Sequence, residues 1–369
     1  MYKKDCMSFV PEAIYIEEGA ENYRITEQAL ERYPDTPVFR GQDSAAVMAE
    51  IRRTSADVMG AGKSRLFLAR FKGSFLKKCP GISKGMVCCN YYVVNLIKNC
   101  IYDCSYCFLQ DFLENNPLLT AYVNVEDLLL ELDEVFAAHP DRTFRVGTGE
   151  LTDSLALEDA LPYADILVPF FNQKANAVLE LKTKSDQIGN LLKLENVGNT
   201  IISWSINPQT IVEQEEKGTP SLARRLESAR LCHEKGYKIG FHFDPIILFP
   251  GWEEAYAELV KLVFASVPPS GIEWISLGSF RFRPNLKSVI KDRHHATRLF
   301  TQEHVPCEDG KYRYLRPLRD HAYATIMDML KKRSQDLNVY ICMETKEIWE
   351  GVTGKLPRSD NKLDQFFDL

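Results

Sequence analysis

The sequence predicts an α/β fold in which a partial (β/α)6 TIM-like barrel follows an N-terminal α/β lead-in and carries a C-terminal hairpin and helix appendage. From residue 91 onward, short apolar runs rich in β-branched residues alternate with amphipathic stretches long enough for helices. Strands separated by helices of about 10 to 15 residues form parallel βαβ units. Six such strands fit a six-unit barrel, in which functional residues lie at the carboxyl ends of the strands.

The lead-in comprises residues 1–90 and the barrel comprises residues 91–280. In the lead-in, helix signals occur at residues 27–32, with Thr26 as a possible N-cap, and at residues 45–53. The predicted barrel strands are 91–97, 143–148, 177–183, 200–206, 238–243 and 274–277. The predicted barrel helices include 125–138, 221–234 and 253–265.

The appendage comprises residues 281–369, where the pattern changes to a basic helix followed by a turn signal at Glu308-Asp309-Gly310. This signal predicts a hairpin near residues 305–316. A long helix over 317–332 and a strand over 337–343 follow.

Composition limits the class of protein. With 45% hydrophobic and 26% charged residues, the 369-residue chain is typical of a soluble globular protein. No apolar run approaches the roughly 20 residues needed to span a bilayer, and the N-terminus lacks a secretory pattern, so we expect a cytoplasmic protein without a membrane partner. The net charge of −6 gives no overall attraction to nucleic acid but leaves room for a local basic track.

Cys100, Cys104 and Cys107 form the pattern Cys-x3-Cys-x2-Cys directly after the first predicted strand. Clustered cysteines in a large chain without a secretion signal indicate metal binding rather than disulfides. Three thiolates on a [4Fe–4S] cluster leave one iron open for another ligand. The alternative is a structural zinc site that Cys88 or Cys89 completes.

Polar residues follow several predicted strands. Residues Gly147-Thr148-Gly149-Glu150 form a glycine-containing turn with a carboxylate, which allows a ligand close to the backbone. Other candidates at strand ends are Lys184, Ser205, Asn207 and Asp244. On the predicted hairpin, Arg313 and Tyr314 lie beside Arg316, and interleaved aromatic and guanidinium groups suit nucleic-acid binding. The alternative is a hairpin that packs on the barrel.

The cysteine spacing resembles that of radical S-adenosylmethionine (SAM) enzymes, and Tyr106 supplies the aromatic residue before the last cysteine. The resemblance implies that Cys100, Cys104 and Cys107 hold a [4Fe–4S] cluster and that SAM binds its open iron. Reductive cleavage of SAM then gives a 5′-deoxyadenosyl radical. It further implies that the SAM amino group lies at Gly149 and Glu150. The other implied cofactor contacts are Phe108, Lys184, Ser205, Asn207 and Asp244.

Over residues 11–353 the chain resembles the spore photoproduct lyase family of radical SAM DNA-repair enzymes. The segments that show this resemblance are Cys79-Pro80-Gly81, Cys88-Cys89-Asn90-Tyr91, the run from Cys100 to Gln110, Thr183-Lys184, Trp204 to Asn207, and Pro245 to Trp252. The resemblance implies reversion of a methylene-bridged thymine dimer to two thymines in damaged DNA. A flavodoxin-type or ferredoxin-type electron donor, a monomeric state, and substrate contacts by Arg313, Tyr314 and Arg316 are further expectations.

One departure from this family concerns Glu150, which stands where the repair lyases have a hydrogen-donating cysteine. A carboxylate has no weak S–H bond and cannot donate a hydrogen atom in its place. Either another residue such as Tyr106 quenches the product radical, or the chain is a family member with a different nucleic-acid or small substrate. A non-enzymatic zinc or iron–sulfur module that binds nucleic acid is a further alternative.

Overall fold

The fold is organised by two main sheets, one built mainly by the N-terminal region and one by the predicted barrel. The computed structural model describes residues 9–81, 85–87, 89, 91–195 and 197–354. Cys88, the alternative zinc ligand, and Asn90 lie outside the described residues. No helix in these ranges is both long enough and apolar enough to cross a bilayer.

The strands and helices, in chain order, have the following bounds. The strands are β1 (Ala13–Ile16), β2 (Val38–Arg40), β3 (Arg65–Ala69), β4 (Lys77–Lys78), β5 (Tyr92–Val93), β6 (Ile97–Lys98), β7 (Asp103–Cys104), β8 (Leu119–Tyr122), β9 (Phe144–Gly147), β10 (Ala177–Thr183), β11 (Thr200–Ser205), β12 (Glu216–Lys217), β13 (Lys238–Ile246), β14 (Ile272–Ser279), β15 (Arg281–Phe282), β16 (His304–Pro306), β17 (Tyr312–Tyr314) and β18 (Val339–Ile341). The helices are α1 (Arg24–Arg32), α2 (Ser44–Thr54), α3 (Val58–Lys63), α4 (Leu109–Phe112), α5 (Val125–Ala138), α6 (Ala164–Asn172), α7 (Gln209–Glu215), α8 (Leu222–Lys235), α9 (Trp252–Ser266), α10 (Leu286–Arg293), α11 (Arg316–Lys331) and α12 (Lys346–Thr353).

The barrel sheet has eight strands in the order β18-β14-β13-β11-β10-β9-β5-β4. Neighbours from β5 to β18 are parallel, and β4 pairs antiparallel with β5 at the edge. The predicted partial (β/α)6 barrel is therefore confirmed, since β5, β9, β10, β11, β13 and β14 are its six strands. The strand predicted in the appendage, β18, joins the same sheet as a seventh parallel strand beside β14.

The first predicted strand, over residues 91–97, is divided between the two sheets. Residues Tyr92 and Val93 pair with β9 in the barrel, whereas Ile97 and Lys98 pair antiparallel with β8 in the N-terminal sheet. The chain therefore leaves the barrel near Asn95 and crosses to the other sheet just before the cysteines. A continuous apolar run gave no local signal of this crossing.

The lead-in is more regular than the sequence indicated. Its strands β1, β2 and β3 are parallel, and the sheet continues through β8 to β6 in the order β2-β1-β3-β8-β6. Because β6 and β8 lie beyond residue 90, the N-terminal sheet crosses the predicted boundary, and the three-region division stays a prediction. The predicted cap at Thr26 is wrong: α1 begins at Arg24, and the Thr26 hydroxyl donates to the Ala20 carbonyl over 2.6 Å.

The C-terminal hairpin is present as β16 and β17, which pair antiparallel with Val305 opposite Arg313. The short strand β15 adds to it through Arg281 opposite Arg313. Helix α11 follows at once, with Pro317 in its first turn, where a missing N–H costs nothing. The predicted hairpin and long helix are therefore found where the turn and proline signals placed them.

The barrel interior contains a buried charged network centred on Glu180 of β10. Its carboxylate accepts from Ser203 Oγ over 2.5 Å and from Trp274 Nε1 over 3.0 Å, and Arg145 NH2 lies 3.4 Å away. His242 Nε2 lies 2.9 Å from the same carboxylate. Burial alone would raise the pKa of Glu180, but the Arg145 charge and these donors hold it well below its usual value. The network is thus a paired, hydrogen-bonded ion site rather than an isolated buried charge.

Candidate active site

The three-cysteine loop begins one residue after β6. Asn99 precedes it in the left-handed region, with a φ of 73°, which asparagine tolerates better than most residues. The Asn99 side chain holds this turn, because its Nδ2 donates to the Pro117 carbonyl over 2.5 Å and its Oδ1 accepts from the Cys100 N–H over 2.8 Å. The backbone that leads into Cys100 is therefore held in one conformation.

Gln110, three residues after the last cysteine, holds the loop from inside. Its buried Nε2 donates to the carbonyl oxygens of Ser105 at 2.8 Å, Cys104 at 3.3 Å and Cys107 at 3.4 Å. Its Oε1 accepts from Arg293 NH1, and His294 Nε2 lies 3.0 Å away. A single amide therefore organises the backbone of the cysteine loop, a role that sequence reasoning missed.

The thiols of the loop are buried together. Burial raises the pKa of Cys100 to about 12, with Asp153 adding to the effect and Lys63 opposing it. Burial also raises the pKa of Cys104, although the nearby Lys184 ammonium acts in the opposite direction. Cys100 and Cys104 therefore hold their protons in the absence of metal, and binding of a metal group would release them.

The donor set of the cysteine loop is compatible with a cluster. Among the described residues, no group of three or more histidine, cysteine and carboxylate side chains is arranged to hold one metal ion. A zinc site needs its sulfurs about 2.3 Å from one point, whereas a four-iron cluster separates its three thiolates across a larger body. The cysteine loop, with its buried thiols and internally bonded backbone, is compatible with the cluster. The zinc alternative with Cys89 stays untested.

Glu150 faces the barrel opening beside a residue that the sequence analysis missed. Asn95 Nδ2 donates to Glu150 Oε2 over 2.7 Å. Asn95 Oδ1 is buried and accepts no hydrogen bond from the described part of the chain. Two acceptors next to each other, one of them without a donor, form a receptor for an ammonium group such as the amino group of SAM. Asn95 could have been found, because it follows Val93 by two residues and so extends the same face of the strand.

Position 149 has no room for a side chain, so it requires glycine. A Cβ at this position would lie 2.9 Å from both the Cβ and the carbonyl oxygen of Lys182. Four residues on, Asp153 ties the turn to the next strand, because it accepts from Thr183 Oγ1 at 2.6 Å and from the Lys184 N–H at 2.5 Å. Burial raises the pKa of Asp153, against the lowering effect of these donors. The turn that carries Glu150 is therefore fixed at both ends.

Lys184, Tyr106 and Asn207 meet around Glu216, a second residue that sequence reasoning missed. The Tyr106 hydroxyl donates to Glu216, and Asn207 Nδ2 donates to the same Oε1 over 3.0 Å. Lys184 Nζ lies 5.6 Å from the centre of the Tyr106 ring. Although burial alone would raise it, the charges of Arg225 and Lys184 hold the pKa of Glu216 below its usual value.

Two further predicted cofactor contacts have other partners. Asp244 accepts from both terminal nitrogens of Arg281, at 3.0 and 3.1 Å. The Ser205 carbonyl accepts from Arg225 over 3.0 Å, and the residue is buried. Phe108, by contrast, is 44% exposed next to Cys107. Contacts of these three residues with SAM stay predictions.

Arg313 and Tyr314 do not form the exposed face that the hairpin pattern suggested. Arg313 is 0% and Tyr314 is 1% exposed. The Arg313 guanidinium pairs with both oxygens of Asp309, at 2.6 and 2.8 Å, and the Tyr314 hydroxyl accepts from the Leu248 N–H. The alternative of a hairpin that packs on the barrel describes these two side chains. Arg316, in contrast, is exposed at the start of α11. Substrate contacts by these residues stay predictions.

The predicted residues nevertheless converge on one region. Leu151, next to Glu150, packs against the same apolar cluster of Met59, Leu109 and Leu113 as Cys100 and Cys107 do. The Lys184 ammonium lowers the pKa of Cys104 and the Glu216 carboxylate raises it, so both charges lie near this thiol. The cysteine loop, the Glu150 turn and the Lys184 cluster therefore line the same end of the barrel, where the strands finish.

Comparison with known proteins agrees with this arrangement. A family model described as spore photoproduct lyase matches residues 9–337. The spore photoproduct lyase of Bacillus subtilis (strain 168) is 26% identical over 305 residues, which cover 80% of this chain and 85% of the relative. The enzyme of the same name from Geobacillus sp. (strain Y412MC61) is 24% identical over 303 residues, covering 80% and 86%.

The fold is also that of solved spore photoproduct lyase structures. One, a double mutant with bound AdoMet and dinucleoside spore photoproduct, has a TM-score of 0.79 at 22% identity and covers 92% of this chain and 99% of its own. Another, complexed with dinucleoside spore photoproduct, has a TM-score of 0.79 at 22% identity and covers 90% and 98%. On the match over residues 9–337, the chain belongs to the spore photoproduct lyase family.

Proposed function

We propose that this chain is a radical SAM DNA-repair lyase that reverts spore photoproduct to two thymines. The observation that carries the proposal is the meeting of the three-cysteine loop with the Glu150–Asn95 acceptor pair at one end of the barrel, in a chain of this family. A cluster site next to an ammonium receptor is what a SAM-cleaving enzyme requires.

Cys100, Cys104 and Cys107 would hold the cluster, and Glu150 with Asn95 would receive the amino group of SAM. When both are bound, they supply a 5′-deoxyadenosyl radical that takes a hydrogen atom from C6 of the lesion. Gln110 keeps the cysteine backbone in one conformation, and the paired Asp153 keeps the Glu150 turn in place. Lys184, an ammonium held by buried neighbours, would suit the carboxylate of SAM.

The return of a hydrogen atom to the product needs a donor other than Glu150. Tyr106 is our candidate, since its hydroxyl is beside the cysteine loop and hydrogen-bonded to Glu216. The tyrosyl radical left by this transfer would be reduced by one electron, from the same proposed electron donor, and one proton. Burial raises the pKa of Tyr106 well above its usual value, which keeps the O–H intact. Asn207 shares the same Glu216 oxygen and so fixes the carboxylate that orients the phenol.

The remaining parts of the proposal concern partners. Damaged DNA would present the lesion at the barrel mouth, and weakened pairing at the lesion lowers the cost of moving it out of the stack. A flavodoxin-type or ferredoxin-type protein would supply the electron. We propose a monomer in the cytoplasm.

The test uses anaerobically reconstituted protein with SAM, dithionite and a short oligonucleotide that carries spore photoproduct. Thymine recovery and 5′-deoxyadenosine are followed together, with Cys104→Ala as the control that should give neither product. Repair by the wild type and not by the control supports the proposal. Absence of both products from the iron-loaded wild type would refute it.

A second candidate is a family enzyme with a different nucleic-acid or small substrate. Glu150 favours this reading, because the carboxylate stands at the position of the familiar donor thiol. The same experiment separates the two: 5′-deoxyadenosine without thymine recovery indicates SAM cleavage on another substrate.

A further inference from the structure

Most of the clustered basic residues in the C-terminal region are paired with carboxylates. Those with a carboxylate oxygen within 4 Å are Arg281, Arg283, Arg293, Lys311, Arg313, Arg316 and Arg319. Lys287, Lys291 and Arg298 differ, because none of them has a carboxylate partner within the described part of the chain. These three cations are exposed.

The unpaired cations lie on one face. Lys287 and Lys291 are four residues apart on α10 and therefore share a helix face, and His295 follows two residues after the helix ends at Arg293. His295 Nδ1 lies 3.0 Å from the Lys291 carbonyl oxygen, which keeps the imidazole beside the end of the helix. Asp292 is exposed on a neighbouring face, one residue and about 100° away from Lys291.

An open cavity of about 430 Å³ adjoins this face. Its lining residues are Lys291, His294, His295, Thr297, Arg298, Phe300 and Thr301. The lining contains cations, imidazoles, hydroxyls and one aromatic ring, and no carboxylate. Such a set binds an anion through charge and hydroxyl donors, and the ring adds a surface for stacking.

The cavity is firmly attached to the cysteine loop. Glu215, a buried carboxylate, accepts from Thr297 Oγ1 over 2.8 Å and from the Arg298 N–H over 2.9 Å. The same carboxylate accepts from the Ser105 hydroxyl within the loop. Arg293 adds a second link, with its NH1 3.1 Å from an Asp103 oxygen. A ligand in the cavity would therefore have a fixed position relative to the predicted cluster.

We infer that this basic face binds the sugar–phosphate backbone of the DNA strand that carries the lesion, an inference that rests on the proposed function. The face comprises Lys287, Lys291, His295, Arg298 and the adjoining cavity. Lys287 and Lys291 are separated by a helical rise of about 6 Å, the length of about two nucleotides at roughly 3.4 Å each. The cavity with Arg298 continues the basic surface beyond the end of the helix, so the row can follow a strand. On a chain of net charge −6, it supplies the local basic track that DNA binding needs.

The experiment measures binding of cluster-loaded protein to an undamaged fluorescent duplex as a function of salt. The double variant Lys291→Gln/Arg298→Gln is compared with Lys235→Gln, which removes an exposed lysine at the end of α8 on the outside of the barrel. We expect the slope of log K against log salt to fall by about two in the double variant, one for each lost phosphate contact. The control should keep the wild-type slope.

An unchanged slope in the double variant, with wild-type iron content, would overturn the inference. Inorganic phosphate at matched ionic strength should not displace the duplex more than chloride does; selective displacement would indicate a small phosphate ligand and also overturn it. Repair of a dinucleoside lesion separates this inference from the proposed function, because that substrate is too short to follow the row. If the wild type repairs no lesion but the slope still falls, only the proposed function fails.

Discussion

Replacement of Glu150 by glutamine tests the ammonium receptor most directly. The substitution keeps the shape of the side chain and its bond to Asn95, whose Nδ2 donates to Oε2 over 2.7 Å. It removes the negative charge alone. A hydrogen bond to a charged group contributes about 1.5–3 kcal/mol, and about 1.4 kcal/mol is a tenfold change in a dissociation constant. The glutamine oxygen still accepts a neutral bond of about 0.5–1.5 kcal/mol, so the loss is about 1–1.5 kcal/mol. We therefore expect SAM to bind roughly 5- to 12-fold more weakly.

Replacement of Asn95 by alanine should cost less. It removes one neutral acceptor, Oδ1, and the bond that orients Glu150, and a neutral hydrogen bond contributes about 0.5–1.5 kcal/mol. The expected weakening is about 2- to 12-fold. Glu227→Gln, on the outer surface of α8, is the matched control for loss of a glutamate charge and should bind SAM as the wild type does.

The assay is equilibrium dialysis of SAM against anaerobically reconstituted protein, with iron and sulfide measured on every sample. Equal iron content shows that the variants differ in the SAM site rather than in the cluster. Wild-type affinity in Glu150→Gln would refute the receptor, and so would a larger loss in Asn95→Ala than in Glu150→Gln. Either result would leave the SAM amino group without an assigned site.

Three other changes have defined outcomes. Tyr106→Phe should keep cleavage of SAM but lower thymine recovery at least tenfold, measured as the ratio of thymine to 5′-deoxyadenosine; an unchanged ratio contradicts its role as donor. Glu180→Ala leaves the buried Arg145 charge without its partner and should lower the free energy of unfolding by about 3–5 kcal/mol in urea titrations of the cluster-free protein, and a loss below about 1 kcal/mol contradicts this. Burial lowers the pKa of His242 to about 4, so the unfolded chain takes up a proton near pH 6.5 that the native chain does not. Unfolding free energy should therefore fall by up to about 3 kcal/mol from pH 6.5 to 4, and this part of the fall should be absent in His242→Gln.

The barrel could be predicted because each of its strands carries its own local signal. Buried parallel strands are continuous apolar runs, and strand β10 and helix α5 were predicted at their observed bounds. The N-terminal sheet gave no such signal, since β1, β2 and β3 have only three to five residues each. Its pairing with β8 joins segments about fifty residues apart, which no local pattern encodes.

Site residues could be predicted where they form a motif within one segment of the sequence. Residues that contact each other from distant segments could not. The spacing of Cys100, Cys104 and Cys107 is enough to identify them as a candidate cluster motif. Glu216, in contrast, is 110 residues from the Tyr106 hydroxyl that it accepts from. Gln110 had a signal that was overlooked, since it ends the motif segment and lies three residues beyond the last cysteine.

The hairpin shows how a charge pattern can mislead. Arg313 was assigned to DNA because it lies between two tyrosines, but Asp309 in the preceding turn is four residues away and reaches it across the hairpin. An acidic residue in the turn of a basic hairpin is therefore a signal that the arginine is paired within the protein. Among the described residues of this region, Lys287, Lys291 and Arg298 have no carboxylate partner, and the proposed DNA contact is assigned to them for that reason.

The lead-in is part of the candidate site rather than a separate unit. The Lys63 ammonium at the end of α3 donates to the Tyr102 carbonyl within the cysteine loop and lies 3.3 Å from an Asp103 oxygen. Met59 of the same helix packs with the side chains around Cys100. The cysteine loop leaves from β6 of the N-terminal sheet, whereas Glu150 follows β9 of the barrel. The distance between the thiols and the ammonium receptor is therefore set by how the two sheets pack. A chain shortened to the barrel would keep Glu150 and lose the part of the support for the cysteine loop that Met59 and Lys63 provide.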